Sequence, residues 1–223
     1  GAVDFWPLSM NLKPSFLDSV KLMGLDKAMW NLTGGWGSPN FSVLIDSINS
    51  KGFLSNRYDI FTDVWPPTHP EWSGYRTEGY PEDVIVNAGG ELKKGWLAYP
   101  NNQPFQGYYT CAATHYNYAK KHVPEDLKTN RYNSRFIDVE LSSSLEECYS
   151  EVHPVTRKQD AAARNRALGY IKNDLKLVTG SEEAHDFAFA NVDYSEGTMT
   201  IVPAKNAGYD WSEPLEPTDK SYA

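Results

Sequence analysis

The first half of the chain alternates between segments of helical and strand-like periodicity. Apolar residues recur at helical spacing over 14–24, and the apolar and aromatic run at 27–32 predicts a strand. A second helix is predicted for 42–52, and a second strand for 58–65, where two prolines end it. Helices and strands that alternate in this way predict βα units around a parallel sheet.

This pattern stops between residues 66 and 107, where proline, glycine and asparagine interrupt every apolar run. We predict a long excursion from the sheet in this segment, with a hairpin near 84–96. Excursions of this length are usually functional or partly folded. A helix is predicted to follow at 110–127, with its end near Pro124.

The second half of the chain returns to alternating strands and helices. Strands are predicted at 135–140 and 175–183, and the helix between them is the most regular in the chain. Thr156 and Gln159 form a capping-box pattern at the start of that helix, and an apolar stripe runs along it. A last strand is predicted at 198–202.

These elements predict an α/β fold of the (β/α) TIM-barrel type. The alternative, an open doubly wound sheet, usually carries a glycine-rich phosphate loop, and the Gly-Gly-Trp-Gly segment at 34–37 does not fit one. A whole barrel takes about 250 residues, whereas this chain of 223 residues shows only four or five convincing strands. We therefore expect a partial barrel or a segment of a larger one, with a single domain over 1–203 and an extended arm over 204–223.

Charge and composition exclude several classes of partner. The net charge of -8 and the pI near 5.1 argue against nucleic acid, which requires clustered lysine and arginine. No apolar run approaches the roughly 20 residues of a membrane helix. Cys111 and Cys148 lack the spacing of a metal site or a disulfide framework, although a single disulfide remains open. We expect neither a cofactor nor a metal.

Two of the predicted strands end in carboxylates. Because side chains alternate along a strand, Phe136, Asp138 and Glu140 are predicted to share one face of the first. Glu182 ends the second strand, one helix later. Glycoside hydrolysis requires two carboxyl groups across the scissile bond, and Asp138 and Glu182 could supply them. Two unrelated carboxylates at strand ends are the structural alternative.

Several segments together carry a resemblance to a known family. They are 57–64, 136–139, 147–149 with 153–157, and 180–182 with 185–186 and 194–197. In combination they resemble a bacterial group of glycoside hydrolase-like (β/α)-barrel proteins. More distantly, they are similar to retaining glycosidases of the endo-α-N-acetylgalactosaminidase type. The resemblance spans roughly residues 25–200.

The resemblance implies a retaining hydrolysis of an α-linked glycan. Asp138 would be the nucleophile and Glu182 the acid/base, with a carbohydrate as the partner. The location stays unknown at this level, with a secreted or periplasmic one favoured over a cytoplasmic one. Exposed tryptophans after two other strands are also expected to stack on sugar rings, although buried core positions are the alternative. The candidate sugar contacts are Asp63, Trp36, Trp65, His153 and Arg157.

Three alternatives remain open at this level. Glu183 follows Glu182 directly, and alternation aims the two side chains at opposite faces, so either could be the acid/base. His153 could simply cap the helix that follows it. The domain could also be a barrel that binds glycans without cleaving them, or a barrel segment that is inactive without further parts of a larger protein.

Overall fold

The computed structural model describes residues 3–6, 12–32, 41–68 and 76–197. In chain order, its helices and strands are β1 (Val3–Phe5), α1 (Pro14–Leu22), β2 (Ala28–Leu32), α2 (Ser42–Ser50), β3 (Leu54–Ile60), β4 (Asp63–Val64), β5 (Lys94–Ala98), β6 (Phe105–Tyr109), α3 (Ala112–Thr129), β7 (Ser134–Asp138), α4 (Arg157–Gly169), β8 (Val178–Glu182) and β9 (Tyr194–Glu196). Short turns of other helix types lie at Pro100–Asn102, Tyr170–Asp174 and Asp186–Ala188.

Six of the strands form one sheet in the order β1-β2-β3-β7-β8-β9, and every neighbouring pair is parallel. The order in space follows the order along the chain, and α1 to α4 connect successive strands up to β8. This arrangement confirms the predicted α/β class and the partial (β/α) barrel. No helix in the described part of the chain is long and apolar enough to span a membrane.

The apolar core lies on the outer face of this sheet, beneath the helices. One cluster packs α1 and α2 against β2, with Trp30 and Ile45 almost fully buried. A second cluster packs α3 and α4 against β7, with Ile137 and Leu168 at its centre. The inner face of the sheet is therefore free to carry polar side chains.

The excursion between β3 and α3 forms a small antiparallel sheet in the order β4-β6-β5. The predicted hairpin at 84–96 is present as an isolated bridge between Val86 and Leu92, but β5 pairs with β6 instead. The strand predicted at 58–65 begins four residues earlier and ends at Ile60, so that prediction is wrong in its boundaries. Asp63 and Val64 belong to the small sheet.

Two further boundaries differ from the predictions, each for a local reason. Helix α3 continues through Pro124 to Thr129, because Val123 and Leu127 anchor its last turns in the core. Strand β8 begins only at Val178, because Lys176 adopts a left-handed backbone with φ of 60°. The strand predicted at 198–202 lies outside the described residues, and the last described strand is at 194–196.

Candidate active site

Three acidic side chains end three neighbouring strands at the C-terminal edge of the sheet. Asp138, Glu182 and Glu196 are the last residues of β7, β8 and β9. Glu182 pairs in register with Glu196, and Ile137 pairs with Ser181, so Asp138 and Glu182 occupy matching positions on adjacent strands. Because matching positions in a sheet point to the same side, all three carboxylates face the barrel interior.

Asp138 is held by a tyrosine on the neighbouring strand. The hydroxyl of Tyr58 donates a hydrogen bond of 2.6 Å to Oδ2 of Asp138. Burial raises the pKa of Asp138 above its ordinary value, the Tyr58 hydrogen bond opposes this rise, and the charge of Glu182 adds to it. Burial and the neighbouring carboxylates also raise the pKa of Tyr58, so its hydroxyl remains a donor throughout the physiological range.

The chain turns sharply after Asp138, and this turn overturns one prediction. Val139 has a left-handed backbone with φ of 61°, so Glu140 does not share the face of Asp138 as alternation predicted. Glu140 is instead fully buried, and its Oε1 lies 2.9 Å from Nδ1 of His115. Although burial acts to raise the pKa of Glu140, the charges of His115 and Arg164 lower it below its ordinary value.

His115 links two partners in this buried network. The Thr110 hydroxyl donates its single proton to the carbonyl of Phe61 at 2.6 Å and therefore accepts from Nε2 of His115 at 2.9 Å. Nδ1 of His115 lies 2.9 Å from Oε1 of Glu140. Glu140 thus has a structural partner beneath the site.

Glu182 is positioned by the loop that follows this turn. The hydroxyl of Ser142 donates a hydrogen bond of 2.6 Å to Oε2 of Glu182. Arg164 on α4 fixes this loop by donating to the carbonyls of Glu140 and Ser144, each at 2.9 Å. Glu182 also lines a cavity of about 420 Å³, together with these loop residues and Trp96.

Glu183 takes a different direction from Glu182. Its φ of 57° bends the backbone, and its N–H donates to the carbonyl of Glu196 at 2.8 Å. Glu182, but not Glu183, lines the cavity. Of the two, Glu182 has the better position for a reaction inside the cavity.

Two further acidic residues, Asp63 and Glu196, lie in the cluster around Asp138. Burial raises the pKa of Asp63 to about 6; the hydrogen bond from Thr62 opposes this rise, and the charge of Asp138 adds to it. Burial, a hydrogen bond with Asp4, and the charges of Asp138 and Glu182 raise the pKa of Glu196 to about 8. Carboxyl groups with such different proton affinities can serve as acid and as base in one site.

Three of the remaining predicted sugar contacts, Trp65, His153 and Arg157, do not join this cluster. Trp65, predicted to be exposed, is only 4% exposed and packs on Phe105 with ring centroids 5.1 Å apart, so that prediction is wrong. Arg157 begins α4 with an exposed side chain near Tyr149. The helix cap belongs to Thr156, and His153 instead contacts Cys148 and the carbonyl of Glu82. Trp36 lies outside the described residues.

The structure also brings in residues that the sequence did not single out. Trp96, with 58% of its surface exposed, lines the same cavity as Glu182. It falls in the excursion, where no periodic pattern indicated which aromatic side chains face outward. Tyr58 could have been found from the sequence, because it occupies the predicted strand at 58–65 and shares a face with Ile60.

One group of potential metal ligands occurs among the described residues, and it is separate from the carboxylates. Cys111, Cys148 and His153 place their ligand atoms within 4.8 Å of one another.

Comparisons with known proteins point to one family. The model of the family described as "Glycosyl hydrolases related to GH101 family, GH129" matches residues 19–213. Among curated proteins, no sequence matches the chain significantly.

Solved structures share the fold at low sequence identity. The ligand-free alpha-N-acetylgalactosaminidase NagBb from Bifidobacterium bifidum superposes with a TM-score of 0.67 at 17% identity, over 96% of this chain and 38% of that one. The glycoside hydrolase domain of PelA from Pseudomonas aeruginosa gives a TM-score of 0.50 at 9% identity, over 87% of this chain and 65% of that one. The chain thus spans well under half the length of NagBb.

Proposed function

The chain belongs to the family of glycosyl hydrolases related to the GH101 family, GH129, and from this premise we propose that it hydrolyses an α-linked sugar with retention of configuration. Asp138 is the nucleophile and Glu182 the acid/base in this proposal. NagBb is named an alpha-N-acetylgalactosaminidase, which makes an aryl α-N-acetylgalactosaminide the first substrate to test.

The observation that carries the proposal is the register of β7 and β8. Asp138 and Glu182 occupy matching positions on adjacent parallel strands and face the same side. Adjacent strands lie about 4.8 Å apart. Retaining glycosidases hold their two carboxyl groups about 5–5.5 Å apart, against about 6.5–9.5 Å in inverting ones. The register therefore favours the retaining mechanism.

In the first step, the Asp138 carboxylate attacks the anomeric carbon while the Glu182 carboxyl group protonates the departing glycosidic oxygen. The bond to the leaving group breaks as the bond to Asp138 forms. In the second step, Glu182 removes a proton from water, and this water displaces Asp138 from the sugar. Tyr58 holds Asp138 in position, and Ser142 orients Glu182.

Substrate binding is assigned to groups around this pair. Trp96 is exposed and lines the cavity, and in this proposal it provides an aromatic surface for a sugar ring. Asp63, whose raised pKa reflects its burial near Asp138, is assigned the binding of a sugar hydroxyl in this proposal. A cavity of about 420 Å³ falls in the range of small-ligand sites, roughly 300–1,000 Å³.

Amide substitutions test the two catalytic roles separately. Asp138→Asn should abolish turnover of every substrate, because no covalent intermediate can form. Glu182→Gln should lower kcat by about 10²–10⁴-fold for a sugar with a poor leaving group. The loss should be smaller for a nitrophenyl glycoside, whose leaving group needs little protonation. The matched control is Glu183→Gln, which should retain wild-type activity.

The configuration of the first-formed product tests the mechanism. Proton NMR during early turnover should show the α-anomer, whereas β-anomer as the first product would contradict retention. Near-normal activity in both Asp138→Asn and Glu182→Gln would overturn the assignment of the pair altogether.

The open edge of the sheet favours a second candidate function. In the described residues the six parallel strands form only part of a barrel, so the site could bind a glycan without cleaving it, or require further segments for activity. Glycan binding by calorimetry without release of sugar would favour a binding role. A broad, non-cooperative thermal transition of this chain alone would favour an incomplete segment.

A further inference from the structure

Three side chains from two distant segments of the chain converge beside the active-site loop. Cys111 precedes α3, and Cys148 and His153 lie in the loop before α4. Their ligand atoms lie within 4.8 Å of one another, and both cysteines are free thiols that are almost fully buried. The loop closes on itself through backbone hydrogen bonds between Cys148 and Val155 in both directions.

The hydrogen bonds of His153 determine which of its nitrogens carries a proton. Nε2 lies 2.7 Å from the backbone carbonyl of Glu82, and a carbonyl can only accept. Nε2 therefore carries the hydrogen, and the lone pair of Nδ1 faces Cys148 Sγ at 3.4 Å. Histidine ligands of metals are typically held in this way by a carbonyl behind the ring.

Both sulfur atoms also receive backbone hydrogen bonds; at Cys111 this bond opposes burial, which raises the pKa of the thiol to about 12. The N–H of Val86 donates to Cys148 Sγ at 3.4 Å, and that of Ala113 donates to Cys111. A tetrahedral zinc ion with bonds of about 2.3 Å to sulfur and 2.0–2.1 Å to nitrogen separates its sulfur and nitrogen ligands by about 3.5 Å. The observed 3.4 Å between Cys148 Sγ and His153 Nδ1 matches this separation.

We propose that Cys111, Cys148 and His153 bind a thiophilic divalent cation, Zn²⁺, which acts as a structural clamp. Binding forms two zinc–sulfur bonds and one zinc–nitrogen bond, and the two thiol protons pass to solvent. Water occupies the fourth position of the tetrahedron.

The clamp joins the excursion to the barrel next to the catalytic pair. The N–H of Cys111 donates to the carbonyl of Asp83, and the N–H of Tyr149 donates to the carbonyl of Val86. Both sides of the cluster are therefore hydrogen-bonded to the same segment, 83–86. Ile85, between these two anchors, packs against both cysteines and lines the cavity that contains Glu182. Bound zinc therefore fixes one wall of the proposed sugar site, and the clamp itself does not depend on the proposed hydrolysis.

Metal analysis of the whole 223-residue chain tests the clamp directly. The protein is stripped with a chelator under reducing conditions, incubated with Zn²⁺, freed of excess metal by gel filtration and analysed by mass spectrometry. We expect about one zinc ion per chain and a higher Tm than that of the stripped protein. Cys148→Ser should lose at least about ten-fold in zinc affinity, whereas His122→Gln on α3, which pairs with Glu78 and is not one of the three ligands, should bind as the wild type does.

Cobalt provides a readout that does not require a folded variant. Co²⁺ added to the stripped wild-type protein should produce a thiolate-to-metal charge-transfer band and the intense visible bands of a tetrahedral site, and Zn²⁺ should abolish both. The proposal is overturned if the wild-type protein retains no more zinc than Cys148→Ser, or if cobalt gives no charge-transfer band. It is also overturned if the stripped, reduced protein still lacks two hydrogens by mass, because Cys111 and Cys148 would then form a stable disulfide.

Discussion

Removing the hydroxyl of Tyr58 tests the hydrogen bond that opposes the rise in the pKa of Asp138. In Tyr58→Phe, the carboxylate loses a donor at 2.6 Å, and a hydrogen bond to a charged group contributes about 1.5–3 kcal/mol. One pKa unit corresponds to about 1.36 kcal/mol, so a fully buried carboxylate would shift by about 1–2 units. Asp138 is only partly buried, and water replaces part of the bond. We expect a rise in its pKa of about one unit.

The direction in which the pH profile moves follows from the role of Asp138 as nucleophile. A nucleophile must be ionised, so the acid limb of kcat/KM reports the pKa of Asp138 in the free enzyme. Because the Tyr58 hydroxyl stabilises the carboxylate, its loss raises that pKa and moves the acid limb to higher pH by about one unit. The alkaline limb should move less.

The assay is kcat/KM for an aryl α-N-acetylgalactosaminide, measured from acid to neutral pH. The matched control is Tyr149→Phe, which removes an exposed hydroxyl that donates to Glu147 at 2.9 Å outside the site. It should leave the profile unchanged. If the acid limb of a folded Tyr58→Phe superimposes on that of the wild type, Asp138 does not control it and the reasoning is refuted.

Three further predictions concern binding and stability. Trp96→Ala should raise KM by about 2- to 10-fold with little change in kcat, because aromatic stacking contributes about 0.5–1.5 kcal/mol; an unchanged KM would exclude a sugar platform. Arg135→Met leaves the buried carboxylate of Asp59, 2.6 Å away, without its partner and should destabilise the fold by about 3–5 kcal/mol in urea unfolding. The exposed Arg131→Met should cost less than about 1 kcal/mol, and equal losses would contradict the argument. Glu196 has a pKa near 8 in the folded state, against an ordinary value of 4.5, so the folded protein binds an extra proton between these values and loses stability as pH rises through 8. In Glu196→Gln this loss between pH 5 and 8 should be smaller, and an unchanged pH dependence would argue against the raised pKa.

Much of the barrel could be predicted from the sequence because its outer-face core follows strong periodicities. The capping box at Thr156 and Gln159 is present, and α4 begins after it. The carboxylates Asp138 and Glu182 were recognisable because each ends a predicted strand. Their meeting at one edge follows from the geometry of neighbouring parallel strands.

Other elements gave no such signal because polar side chains line the barrel interior. Strand β3 carries Asn56 and Arg57 near its start, which obscured the beginning of the strand. Asn56 is nevertheless buried, and its amide donates to Asn31 on β2. Strands β1 and β9 have only three residues each, too few for a period to emerge.

The side-chain environment of single residues also depended on tertiary contacts. Trp65, expected to be exposed, is buried because Phe105 and Gly107 of β6 cover it. Glu140 does not lie on the same face as Asp138, because Val139 between them adopts a left-handed backbone conformation. Local alternation cannot predict such a turn.

Covalent trapping tests the central claim most directly. The protein is incubated with a 5-fluoro α-N-acetylgalactosaminyl fluoride, digested and analysed by tandem mass spectrometry. If Asp138 is the nucleophile of a retaining enzyme, one sugar is attached through an ester to Asp138, and Glu182→Gln still accepts it. A label on another carboxylate, or turnover with no label and a β-anomer as the first product, would contradict the assignment.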